Sequence, residues 1–249
     1  MFDSEFDLIN IDSYRMAPSE AQEQARELFH TLKTENKTDK EIWAAIDGFC
    51  KTERQKSVAR KLQSHNELNK RFKDRTFDNF VTNTASQKNA KAKALKYCQE
   101  IKSKFENCTN LAIVGNGKVG VGKTHIASAV TTQLNIQGIP AKFINSCELF
   151  ANLKKDFNLE PYKNIDVLVI DDLGKEKLSE WVLEQLYALF NARYEKMLPT
   201  IITCESNLDY LRDYYNSLIF NRGNAIISRF REYFNLITLD GTDYREHRG

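Results

Sequence analysis

The chain has 249 residues, 41% of them hydrophobic, with 36 lysines and arginines against 34 aspartates and glutamates. That length holds one α/β domain of about 160–180 residues plus a smaller appendage. No apolar run approaches the roughly 18 residues of a membrane span, the acidic start MFDSEFDLINID argues against a signal peptide, and no cysteine pair has metal-ligand spacing. The five cysteines, Cys50, Cys98, Cys108, Cys147 and Cys204, read as reduced thiols of a cytoplasmic protein.

Charge is unevenly spread. Residues 1–50 carry 11 acids against 5 bases, and residues 51–75 carry 9 bases against 3 acids. Such an asymmetry fits two partner surfaces in the N-terminal third, or simply solvated helix faces.

Residues 1–17 have no clear period and read as an arm. Ser19-x-x-Gln22 has the form of a capping box, followed by Ala21, Ala25, Leu28, Phe29 and Leu32 on one helical face. Thr38-x-x-Glu41 is a second box, before Ile42, Trp43, Ile46 and Phe49. A third, highly charged helix is expected over about 51–69, burying only Val58, Ala59, Leu62 and Leu68. Residues 1–69 thus form a small helical module, whose apolar stripes serve either a partner or its own core. Residues 70–84, KRFKDRTFDNFVTNT, break the helical pattern and interleave Phe72, Phe77 and Phe80 with bases, a weak nucleic-acid signal. A lysine-rich helix over about 85–105 follows.

The rest, to residue 249, alternates strands and helices, which predicts a parallel sheet flanked by helices with right-handed crossovers. Leu111 to Val114 is a buried strand, and Thr124 to Thr132 a helix. Between them lies Gly117-Lys118-Val119-Gly120-Val121-Gly122-Lys123-Thr124, the G-x-x-x-x-G-K-[ST] pattern of a phosphate-binding loop. Triphosphate oxygens need several backbone N–H groups aimed at one spot, and glycines let the backbone approach that closely. The helix beginning there adds unpaired N–H groups and the positive end of its dipole. Lys123 is placed to meet the β- and γ-phosphates of ATP, and the Thr124 hydroxyl to ligate Mg²⁺.

Ala141–Asn145 reads as the next strand, then a helix over 147–156 with Leu149, Phe150 and Leu153 inward and Lys154 and Lys155 outward. In Ile165-Asp166-Val167-Leu168-Val169-Ile170-Asp171-Asp172, four apolar residues end in two carboxylates, as a buried parallel strand does when it delivers acids to a ligand at its C-terminal end. Asp171 is expected to hold Mg²⁺, and Asp172 to orient and deprotonate the attacking water. Helix 179–196, strand 199–203, helix 224–233 and strand 236–239 complete the pattern.

Several segments agree on one family: Gly120-Val121-Gly122-Lys123-Thr124-His125-Ile126-Ala127, Ile170-Asp171-Asp172-Leu173-Gly174, Asn191-Ala192-Arg193-Tyr194-Glu195, Pro199-Thr200-Ile201-Ile202-Thr203 and Ser228-Arg229-Phe230. From about residue 70 to 245 the chain resembles AAA+ ATPases of the bacterial and phage helicase-loader (DnaC-like) type, and the related IstB-like transposition helper ATPases. The resemblance implies an AAA+ domain over 85–249 lacking a C-terminal helical lid, as in loaders, with 70–84 as a linker. It implies an N-terminal module that binds a hexameric, DnaB-like replicative helicase, ATP-dependent self-association, and single-stranded DNA. By position, Arg229 matches the arginine that reaches a neighbouring subunit's γ-phosphate, with Arg231 or Arg222 as substitutes. His125 extends the nucleotide-binding segment. Thr76–Phe80 lines the adenine side, with Phe77 or Phe80 at the base or in the core. Two positions depart from the family. Where relatives read T-S-N this chain has Thr203-Cys204-Glu205, so Glu205 or Asn207 polarises the water, or hydrolysis is weak. Asp172 stands where many relatives have Glu. Single-stranded DNA contacts fall on Lys154, Lys155, Lys163, Arg193 and Tyr194, joining charge to an aromatic ring. The competing expectations are a transposition helper and an ATP-gated adaptor with little turnover.

Overall fold

In the computed structural model the described residues are 14, 17–35, 37–65, 74–101, 107, 109–241 and 243. The side chains of 59 and 61–65 are also left aside. Expectations for residues 1–13, for 66–69 of the charged helix, for Phe72 and for 102–105 of the lysine-rich helix lie outside the described residues. Two units are distinguished: Met1–Ser64 with Asn135–Pro140, and His65–Leu134 with Ala141–Gly249.

The first unit contains α1 (Ser19–Thr34) and α2 (Asp39–His65). Their apolar faces meet through Ala21, Ala25 and Phe29 on one side and Ile42, Ile46 and Cys50 on the other. Phe29 stacks on Trp43 with ring centroids 5.1 Å apart. The Thr38–Glu41 box is present: the Thr38 N–H donates to Glu41 Oε2 at 2.9 Å, and the Glu41 N–H reaches Thr38 Oγ1 at 3.4 Å. The expected Ser19 box is not. Pro18 is the capping residue, Ser19 is already helical, and Gln22 Nε2 donates to the Ala17 carbonyl at 3.0 Å. The separate helix expected from 51 is also corrected, because α2 runs unbroken through it. Gly48 alone costs a helix interior about 1 kcal/mol; on the exposed face Lys51 pairs with Asp47 one turn away at 2.7 Å.

The second unit is a three-layer α/β structure. Its helices are α3 (Ala85–Gln99), α4 (Lys123–Ile136), α5 (Ser146–Asp156), α6 (Glu160–Lys163), α7 (Glu180–Glu195), α8 (Leu208–Asn216) and α9 (Arg222–Arg231). Its strands are β1 (Asn110–Val114), β2 (Ala141–Asn145), β3 (Val167–Asp171), β4 (Thr200–Cys204) and β5 (Phe234–Thr238). All pairings are parallel, in the order β2-β3-β4-β1-β5. The three inner strands are wholly buried, which explains their unbroken apolar runs; β2 and β5 at the edges are partly exposed. On one face Leu168, Ile170 and Ile202 pack against Leu183, Leu186 and Phe190 of α7 and Phe230 of α9. Among the described residues no helix is long and apolar enough to cross a membrane.

Because β4 lies between β1 and β3, the loop after β1 and the acids ending β3 emerge at the same edge of the sheet, two strands apart. The function depends on this placement, and residue spacing alone does not give it.

Candidate nucleotide site

The phosphate-binding loop leaves β1 at Gly115 and closes on Lys123, the first residue of α4. A Cβ at Gly115 would come within 2.7 Å of the Lys118 carbonyl and of Lys123 Nζ, so the close turn needs glycine. Gly122 has φ +106° and lies against the Phe80 ring, which a Cβ would meet at 2.8 Å. The Lys123 ammonium is buried and donates to the Lys118 carbonyl at 2.8 Å, inside the curl of the loop. Burial pulls its pKa down, opposed by Asp172 and Glu205.

Asp171 ends β3 and is 2% exposed. Thr124 donates to its Oδ2 at 3.1 Å, and Thr203 of β4 to its Oδ1 at 2.7 Å. Two neutral hydroxyls compensate a buried carboxylate poorly. Burial, with Asp172 adding to it, pushes the Asp171 carboxyl up to about 6. Thr124 and Asp171 present hard oxygen donors side by side, which fits a divalent cation such as Mg²⁺.

Asp172 is left-handed, with φ +56°, a conformation uncommon outside glycine that aspartate adopts more readily than most. Three neighbours hold it there. Its N–H donates to Thr203 Oγ1 at 2.8 Å, and its carbonyl accepts from Ser146 Oγ at 2.8 Å and the Lys175 N–H at 3.2 Å. The following loop is tied down by buried Glu176, whose carboxylate accepts from the Gly174 N–H at 2.9 Å and the Tyr215 hydroxyl at 2.6 Å. Strain held in place by surrounding bonds is a mark of functional backbone.

Glu205 stands beside the loop: its carbonyl accepts from the Gly117 N–H at 2.8 Å, and its carboxylate pairs with Lys175 at 3.0 Å. Asn207 caps α8, its Oδ1 taking the Tyr210 N–H at 2.8 Å. His125 Nε2 lies 2.9 Å from the Thr76 carbonyl and 3.0 Å from Asn79 Oδ1, with Phe80 edge-on at 5.0 Å. Phe77 and Phe80 are both buried, and it is Phe80 that touches the loop. Lys118 pairs with Asp240 beyond β5, while Val119 is exposed.

The residues expected at DNA divide. Lys154 and Lys155 are exposed on the last turn of α5, with Lys154 Nζ 5.6 Å from the Trp181 ring centroid. Lys163 pairs with Glu160 at 3.3 Å. Tyr194 is half-buried and bonds Glu232, which raises its phenol pKa. Arg193 is a correction. It is 1% exposed, and its five N–H groups go to Thr200 Oγ1 and the carbonyls of Tyr162, Ile165, Asp166 and Pro199. It sits where β3 and β4 begin, the opposite end of the sheet from the acids, and stitches those entries together.

Sequence reasoning assigned no role to Thr203, which bridges Asp171 and the Asp172 backbone; strand order was the missing information. Nor did it single out Phe157, 79% exposed beside Lys154 and Lys155 in a left-handed cap of α5, because a positive φ at phenylalanine has no sequence signal. Arg229 lies on α9, half-buried. It donates to Asn191 Oδ1 at 2.6 Å, the Ala225 carbonyl at 2.7 Å and the Tyr187 hydroxyl at 3.0 Å. Arg231 pairs with Asp209 at 3.0 Å, and Arg222 lies over the Tyr187 ring at 5.3 Å.

A five-stranded parallel sheet, a glycine-rich loop closing on Lys123-Thr124, and acids converging on it define a P-loop ATPase of the AAA+ class. The particular family follows: residues 20–248 match the IstB-like ATP binding proteins, and the chain belongs to that family. It is 28% identical over 205 residues to YqaM of Bacillus subtilis (strain 168), covering 77% of this chain and 63% of that one, so it spans less than two thirds of that relative. It is 24% identical over 183 residues to the replicative helicase loader DnaC of Escherichia coli (strain K12), covering 68% of this chain and 72% of the loader. A crystal structure of the DnaC helicase loader superposes with TM-score 0.58 at 28% identity, over 68% of this chain and 99% of that one.

Proposed function

We propose that this protein is a DNA-replication ATPase that engages a hexameric replicative helicase and helps deliver it to single-stranded DNA. The observation that carries the ATPase half is the bond between Thr124 and Asp171, which brings the loop and the acidic strand to one point. The loader half rests on the likeness to DnaC over nearly the whole of its solved chain.

In this reading the loop N–H groups and Lys123 bind the triphosphate, and Thr124 with Asp171 hold Mg²⁺. That ion neutralises phosphate charge when bound. Asp172 orients the attacking water and accepts its proton, from a backbone that Thr203 and Ser146 fix in advance. Glu205 stands nearer the loop than the capping Asn207, so it takes the part of the polar residue that relatives carry there. Its pairing with Lys175 also keeps the low-turnover adaptor reading in view. Arg229 acts on the nucleotide of a second copy, supplying cationic charge that the nucleotide's own subunit lacks. Residues 1–69 hold the helicase and 70–84 link them to the ATPase. Lys154, Lys155 and the exposed ring of Phe157 meet DNA through charge and stacking.

The family description favours a second reading, a transposition helper with the same ATPase and a different partner. Capture on the full-length protein separates the two. Retention of a purified DnaB-type helicase supports the loader. Retention of a transposase and no helicase supports the helper.

A further inference from the structure

α7 and α9 share a surface pocket of about 290 Å³ lined by Asn191, Tyr194, Glu195, Ser228, Arg229 and Glu232. On α7, Tyr187, Asn191, Tyr194 and Glu195 recur at helical spacing and so form one stripe. Arg229 lies against that stripe. Its Nε bonds Asn191, one Nη bonds Ala225 and the other bonds Tyr187, using three of the five guanidinium N–H groups. The two left, one on each Nη, meet no acceptor among the described residues. The cation is also 4.7 Å from the Tyr187 ring centroid. Asn191 is itself oriented, because its Nδ2 donates to Glu195 Oε1 at 2.7 Å, which leaves its oxygen turned to the arginine.

We propose that Asn191 and Tyr187 are positioning residues for Arg229, a cradle that presents the two remaining N–H groups to the phosphate oxygens of a nucleotide bound by a second copy of the chain. The inference rests on the trans-acting reading of Arg229. A free arginine side chain samples many rotamers, and misplacement by an ångström in a phosphoryl-transfer site costs on the order of a hundredfold. The cradle removes that freedom before the copies meet. A guanidinium held in place can also offer N–H groups from both Nη atoms to the oxygens of one phosphoryl group.

The test is complementation between full-length variants. Lys123→Ala protein cannot bind ATP but can donate Arg229; Arg229→Ala protein binds ATP but lacks the donor. Mixed one to one, they are expected to hydrolyse ATP where neither does alone. Asn191→Ala added to the Lys123→Ala donor should then lower the mixture's kcat about tenfold with KM for ATP unchanged, and Tyr187→Phe about threefold. The same substitutions in the Arg229→Ala partner should leave complementation intact. Equal losses from either partner, or no loss from either, overturn the cradle while the trans reading stands. No activity in the unmodified mixture, beside an active wild type, overturns the trans reading and the cradle with it. Tyr187→Phe keeps the packed ring, so a folding defect in the alanine variant does not blunt the test.

Discussion

The AAA+ unit buries Arg193 at one end of its sheet and Asp171 at the other, and they are treated in opposite ways. Arg193, where β3 and β4 begin, spends five N–H groups on five acceptors and is complete without any ligand. Asp171, where β3 ends, has two neutral hydroxyls and a neighbouring carboxylate, and its proton affinity rises accordingly. Full satisfaction marks a buried charge that serves structure. An under-compensated one beside a phosphate-binding loop is a site that a divalent cation would complete.

Substitutions sharpen that contrast, starting with the greatest effect. Lys123→Ala should lower ATP turnover about a thousandfold while leaving the fold intact, because in the folded chain this ammonium makes a single hydrogen bond, to the Lys118 carbonyl of its own loop, and its larger task is the bound triphosphate. Turnover with circular dichroism checks it, and normal hydrolysis would break the assignment. Arg193→Ala should cost about 3 kcal/mol of stability, since it strands buried carbonyls. Denaturant unfolding reads this, and stability unchanged by the substitution would contradict the structural role.

Asp171→Asn should work in the other direction. Its carboxyl binds protons more tightly in the folded chain, at about 6 against an ordinary 3.8. The ionised group therefore costs nothing at pH below its ordinary value. The cost grows as pH rises through about 6 and is complete above it. The variant should gain on the order of 2 kcal/mol at pH 7.5 and little at pH 4. Melting curves across that window test the sign; equal gains at both pH values would sink it. The smallest effect is expected at Asp240, whose pairing with Lys118 is exposed. Asp240→Ala should change ATP affinity less than about twofold, readable by titration with a fluorescent nucleotide.

The same two residues define what the sequence could tell. Asp171 was legible because a strand ending in acids and a glycine-rich loop are local patterns with few physical solutions. Arg193 was misread as a DNA contact because its five acceptors come from three separate stretches between Tyr162 and Thr200 that only the fold gathers. Thr203 went without a role for a similar reason: its two partners are the last residue of a neighbouring strand and the one after it, and that adjacency is a matter of sheet order. The strands themselves were read nearly to the residue. In the first unit, the continuity of α2 across Lys51 was lost because its charged half has no apolar period to follow.

Magnesium dependence of nucleotide stabilisation tests the central claim most directly. Thermal unfolding of the wild type with ATP near 100 times its Kd should show about 3 kcal/mol of stabilisation when Mg²⁺ is present and far less after chelation. Asp171→Asn should respond equally weakly in both conditions. Equal stabilisation of both proteins, with or without Mg²⁺, would contradict the convergence of Thr124 and Asp171 on one metal–triphosphate.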